Sequence, residues 1–110
     1  MEFKVVVSEQ AENDLANIYS YILNELKSQI NADAVLGRLY TAMENLSFTA
    51  GSHHLYPNEP WHSLGIHYFS VNNYSIFYIA DSNEDNPVAT VIHVVYGKRD
   101  LDRVLNENNR

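Results

Sequence analysis

The sequence predicts an α+β two-layer sandwich, on three observations. A short β-branched segment opens the chain, two apolar stripes of helical period follow it, and three strand-like segments fill the second half. The order β-α-α-β-β-β-α implies a helical hairpin packed on a small, mostly antiparallel four-stranded sheet, in a single domain over residues 1–110.

Each element has its own local signal. Phe3-Lys4-Val5-Val6-Val7 reads as a first strand, and Ser8 is placed to cap the helix after it. Glu9 and Glu12 fall in that helix's first turn, where carboxylates suit the positive end of the dipole, and Ala11, Leu15, Ile18, Ile22 and Leu26 form one stripe. Lys27-Ser28-Gln29 breaks the pattern. A second stripe of Ala32, Val35, Leu36, Leu39, Met43 and Leu46 completes the hairpin, with Gly37 read as a point of close packing. Periodicity disappears from Ser47 to Leu64, where Gly51, Pro57 and Pro60 punctuate a long loop carrying His53, His54, Trp61 and His62. Ile66–Val71, Asn72-Asn73 and Tyr74–Ala80 form a hairpin whose two-residue turn favours positive φ. The polar stretch from Asp81 to Pro87 leads to a last strand, Val88–Tyr96, and Asp100 is expected to cap a short helix from Leu101 to about Leu105. No internal repeat or linker interrupts this order.

Composition narrows the function classes. Without cysteine there is no disulfide framework, thiol nucleophile or thiolate metal site, so chemistry falls to His, Tyr, Arg and the carboxylates. No apolar run approaches the roughly 18 residues that a membrane helix needs, and Met1-Glu2-Phe3-Lys4 lacks a signal peptide's order, so a cytoplasmic protein is expected. Seven Lys plus Arg against 14 Asp plus Glu leave a net charge of −7, the wrong sign for a chain that binds by neutralising phosphates. Between Arg38 and Lys98 there is no Lys or Arg, whereas Lys98, Arg99 and Arg103 fall together.

Three segments resemble the RelE/ParE toxin superfamily. Ala11-Glu12-Asn13-Asp14-Leu15-Ala16-Asn17-Ile18-Tyr19-Ser20-Tyr21-Ile22 is similar to its A-x-x-D-L-x-x-I-x-x-Y-I opening, and Gly65-Ile66-His67 with Asn73-Tyr74-Ser75-Ile76-Phe77-Tyr78 resembles its G-I-R … N-Y-x-I-F-Y hairpin. Val94-Val95-Tyr96-Gly97-Lys98-Arg99-Asp100-Leu101 is similar to its closing V-x-H-G-x-R-D-L. Two departures remove permanent charge: His67 and His93 stand where members often carry Arg.

The resemblance directs attention to the end of the last strand. Tyr96, Lys98, Arg99 and Arg103 are the candidate surface for a target or an antitoxin. Arg99 is either a fork for a phosphate or carboxylate or a salt-bridge partner of Asp100 or Asp102; Tyr96 is a proton donor, a contact residue or simply packing. His67 titrates in the range useful for proton transfer, although a strand histidine also serves as a hydrogen-bonded filler. Strict alternation puts Thr90, Ile92, Val94 and Tyr96 on one face and Val91, His93 and Val95 on the other, so His93 and Tyr96 point apart unless a bulge intervenes. His53, His54 and His62 lack the surroundings of a metal site, no cofactor is implied, and Trp61 reads as a loop anchor.

The superfamily implies a toxin of a type II toxin-antitoxin system, with a cognate antitoxin whose tail covers the helical hairpin and reaches Tyr96 to Arg103. The first reading is ParE-like inhibition of DNA gyrase by protein-protein binding, which needs no catalytic residues. The alternative is a RelE-like, ribosome-dependent mRNA endoribonuclease using His67, Tyr96 and Arg99, and the second alternative a non-toxic co-repressor acting with its antitoxin. The acidic charge and cation-free middle strands generate one expectation for any of the three. The isolated chain neither cleaves free RNA nor binds duplex DNA in fluorescence anisotropy at physiological salt, and micromolar DNA affinity would contradict it.

Overall fold

The computed structural model describes residues 2–83 and 85–97; the expected Asp100-capped helix and the cations Lys98, Arg99 and Arg103 lie outside them. Strand β1 (Lys4–Val7) leads into helices α1 (Glu9–Asn24), α2 (Gln29–Glu44) and α3 (Leu46–Thr49), followed by β2 (Ile66–Val71), β3 (Tyr74–Asp81) and β4 (Val88–Tyr96). The sheet order is β1-β4-β3-β2. The two hairpin pairs are antiparallel, while β1 runs parallel to β4 with Lys4 opposite Val88 and Val7 opposite Val91. The expected two-layer α+β architecture is therefore present.

Both long helices begin on a serine. Ser8 accepts the Ala11 N–H at 3.1 Å and Ser28 accepts the Asn31 N–H at 3.2 Å, each satisfying one amide that the first helical turn leaves without a partner. Helix α1 ends earlier than its stripe suggested, because Lys27 adopts a positive φ of 53° and turns the chain. Leu26 consequently falls off the helix and is 58% exposed. Across the hairpin the Tyr19 hydroxyl donates to Asp33 at 2.9 Å and the Tyr40 hydroxyl to Glu12 at 3.4 Å.

The inner helix faces and one sheet face share a core of Leu15, Leu39, Met43, Leu46, Ile76, Tyr78, Val91 and Val94. The opposite sheet face has a smaller core, in which Tyr56 and Trp61 from the 52–65 loop cover Ile66, Phe77 and Val95. Trp61 is thus the anchor expected. Gly37 is not a close-packing point: a Cβ there would meet nothing within 4 Å, since α2 faces an open groove at that position.

Strict alternation fails on β4. The register with β3 slips between Phe77, opposite His93, and Tyr78, opposite Val91, leaving Ile92 as an extra residue in a β-bulge. Beyond it Val94 rejoins Val91 in the helix-side core, whereas Ile92 and Val95 pack on the other face. The Asp14 carboxylate of α1 accepts the Val94 N–H at 3.0 Å, and the buried His93 ring places Nδ1 3.6 Å from the same oxygen, without a hydrogen-bond partner.

The long loop is tied down by its histidines. His67 donates from Nδ1 to the His53 carbonyl at 2.8 Å and stacks on Tyr78, while the His53 ring stacks on Phe69 at 4.4 Å. Tyr78 donates its hydroxyl to the Ala50 carbonyl at 2.6 Å, and burial pushes its phenol up to about 12. Burial, then the neighbouring His67 and His54, hold His53 below the ordinary imidazole value of 6.5.

Two predictions follow from these ties. Asp14→Ala strands the Val94 amide beside the core and costs about 1–3 kcal/mol in urea denaturation, whereas Asp14→Asn keeps an acceptor oxygen and costs less; equal stability of all three chains would contradict the role. For His53, the folded state favours the neutral ring, so its contribution is intact above about 6.5 and is lost as pH falls from there through the lowered folded value. The melting temperature is expected to drop less between pH 7.5 and pH 5 in His53→Phe, which keeps the stack, than in the native chain.

Candidate functional site: an aromatic groove at the end of β4

Helix α1 runs beside β4, so that Ser8, Asp14 and the Ile18–Ile22 turn meet Ile92, Val94 and Tyr96 in succession. At the far end the sheet continues only to the Asn72-Asn73 turn, with Asn72 at φ 54° as the two-residue connection requires. Gly97 donates its N–H to the Asn73 carbonyl at 2.7 Å, and its φ of +82°, which suits a residue without Cβ, ends the strand there. Tyr74 and Tyr96 are opposite one another in register, their rings edge-on with centroids 5.2 Å apart.

These two rings and the outer end of α1 enclose a groove of about 510 Å3, lined by Asn17, Ile18, Tyr21, Ile22, Leu26, Tyr74 and Tyr96. Tyr21 is 59% and Tyr96 68% exposed, and Ile30, just beyond the helix break, is 83% exposed. Burial, then the adjacent Tyr96, push the Tyr74 phenol above its ordinary value, and Arg38 pulls it back down. Among the described residues no carboxylate, imidazole or cation lines this groove. Rigid aromatic rings of this kind offer contact area at low entropic cost.

The other candidates lie elsewhere. His67 is opposite Tyr78 on β3 and Tyr96 is opposite Tyr74, so the two are separated by about 13 Å along the sheet as well as by an intervening strand. They do not form a proton-transfer pair. His67 fastens the loop, with its Nδ1–H committed to the His53 carbonyl. His62 donates from Nδ1 to the Tyr56 carbonyl at 3.2 Å, and among the described residues no His, Asp and Glu cluster could hold a metal ion. His93 and Tyr96 both turn towards α1, contrary to strict alternation, because of the bulge. Lys98 and Arg99 follow Gly97 directly, with Arg103 four positions after Arg99, and all three lie outside the described residues. Sequence reasoning did not single out Tyr21, Leu26 or Tyr74 as site residues: Tyr21 and Tyr74 entered only as motif positions and Leu26 as part of the helical stripe. The only available signal was that two tyrosines bracket the strand ends around Asn72-Asn73.

Comparison with known proteins agrees with this architecture. No curated protein matches the chain significantly. A chain of the chromosomal ParDE toxin-antitoxin system from P. aeruginosa superposes with a TM-score of 0.71 at 14% identity, covering 88% of this chain and 98% of that one. A chain of the RelBE2 toxin-antitoxin complex from Mycobacterium tuberculosis gives 0.59 at 15% identity, covering 87% and 99%. At such identities these likenesses establish the fold. The family assignment comes from the sequence itself: residues 5–101 match the ParE toxin of type II toxin-antitoxin systems, parDE, and the chain belongs to that family.

Proposed function

We propose that this toxin inhibits DNA gyrase by protein-protein binding, with the aromatic groove at Tyr96 and the following cations Lys98, Arg99 and Arg103 as its contact surface, and that a cognate antitoxin neutralises it in the cytoplasm. The observation that carries this reading is the exposed tyrosine groove, whose lining among the described residues is aromatic and aliphatic apart from Asn17. Inhibition by docking requires shape and anchor residues, and exposed aromatic rings next to arginine are the side chains that most often supply them. The net charge of −7 does not oppose a protein target as it opposes nucleic acid. A ribosome-dependent nuclease would need stabilisation of developing phosphate charge beside a proton-transfer group, and His67 and Tyr96 are held far apart.

Induction of the chain in a growing bacterium, followed by microscopy and a gyrase supercoiling assay with purified protein, tests the target. Filamentation with stabilised DNA cleavage complexes is the expected outcome; immediate arrest of translation with codon-linked mRNA cleavage would replace it with the nuclease reading, and normal growth with the co-repressor reading. Tyr96→Ala and Arg99→Ala are each expected to weaken inhibition more than about tenfold, while His67→Phe leaves it unchanged. Loss of inhibition that tracks a lowered melting temperature would assign Arg99 to a structural salt bridge.

A further inference from the structure

The loop from 52 to 65 wraps the edge of the sheet and touches both of its faces. Strand β2 is the last in the order, so the side turned away from β3 is open to the loop. There Tyr68 donates its N–H to the His54 carbonyl at 3.0 Å and Tyr56 donates its N–H to the Ile66 carbonyl at 2.7 Å, making the antiparallel bridge Leu55–His67 along the first half of that edge. Before the crossing, the His53 ring stacks on Phe69, which packs against the helix-side core. After it, Tyr56 and Trp61 seal the opposite core over Ile66, Phe77 and Val95. One segment thus joins the two cores.

The fastening at the crossing point is made of imidazoles. His67 donates from Nδ1 to the His53 carbonyl at 2.8 Å, the His67 ring stacks on Tyr78 with centroids 5.1 Å apart, and the His53 ring meets the same phenol edge-on at 6.1 Å. The groups facing the His53 ring are His54 of its own loop and His67 of β2, which become cations on protonation, uncharged Phe69 of β2, and Tyr78 of β3, whose hydroxyl is held by the Ala50 carbonyl after α3. The phenol, pushed up to about 12, stays neutral throughout the range in which imidazoles titrate. None of these four groups offers a negative charge to a protonated His53.

We propose that the 52–65 loop is a proton-operated strap, which opens as one unit ahead of the helix-side core when His53 takes up a proton. In the closed strap a charged His53 is desolvated and repelled by His67 and His54, which holds it below the ordinary 6.5; in the open strap the ring is hydrated and away from both. Closure is therefore intact above about pH 6.5, weakens as pH falls from there to the lowered closed-state value, and levels off below it. One proton taken up on opening raises the opening equilibrium by up to about tenfold per pH unit within that window. The strap opens before the whole chain because the β1–β4 and β3–β4 ladders and the Asp14–Val94 contact contain none of its residues. Opening uncovers the apolar face of Ile66, Phe77 and Val95 together with the outer edge of β2.

Amide hydrogen exchange of the full chain, followed by NMR between pH 7.5 and pH 5 and corrected for intrinsic rates, tests this. The Tyr56 and Tyr68 amides are expected to share one protection factor, about tenfold or more below that of the Ser8 amide bonded to Val91, and to lose it in step on acidification. Trp61 is the chain's one tryptophan, so its quenching by acrylamide is expected to rise over the same window. His53→Phe keeps the stack and the accepting carbonyl but cannot take up a proton, and is expected to flatten the pH dependence of Tyr56 and Tyr68 protection. Equal protection of Tyr56, Tyr68 and Ser8 throughout makes the opening global and overturns the proposal, as does an undiminished pH dependence in His53→Phe. If that variant fails to fold, the His53 ring resonances of the native chain decide: a titration midpoint below 6.5 supports the strap, and one at or above 6.5 overturns it.

Discussion

The hydrogen bond from the Val94 amide to Asp14 is the contact on which the functional face depends. Strand β1 pairs with β4 only as far as Val91, so the Val94 amide, which faces that side, has no ladder partner and has to be satisfied from elsewhere. Asp14 does this from α1, and so fixes helix and strand together at the point where the strand changes phase. The phase change decides which way Tyr96 faces. Without the extra residue, Val91 on the helix side would be followed there by His93 and Val95, and Tyr96 would turn to the loop-covered face. With it, Val94 and Tyr96 return to the helix side, and the second phenol wall of the groove exists.

The same architecture separates two surfaces of different character. Over β4 and β3 the groove is aromatic, with no charged side chain in its lining among the described residues. Beside β2 a second groove is walled by small side chains of α2 and carries Arg38. Tyr74 stands between them, lining the first groove while feeling the charge of Arg38 from the second. The helical hairpin roofs both, since α1 lies along β4 and α2 reaches β2.

Two of the histidines hold the long loop in place. His67 and His53 bind the 52–65 loop to β2 through one carbonyl and two ring stacks, with Tyr78 closing the arrangement onto Ala50. A group committed in this way is kept from the freedom that proton transfer in turn as base and acid requires, and its neighbours bias His53 to stay neutral.

Local signals determined much of the fold. Helical and strand periodicities set the elements, Ser8 and Ser28 began the helices, and the Asn72-Asn73 pair set the hairpin, because each depends on residues close in sequence. The motif containing Asp14 marked the family, yet nothing nearby in the chain said what Asp14 binds, since its partner is 80 positions away. Tertiary structure alone decided the β4 bulge and with it the direction of Tyr96, the exposure of Leu26 past the Lys27 turn, the distance between His67 and Tyr96, and the half-filled β2 edge. The physical reason is common to all four. Alternation and helical period describe a chain one element at a time, whereas bulges, grooves and open edges arise from how one element satisfies, or leaves unsatisfied, the backbone groups and apolar surface of another.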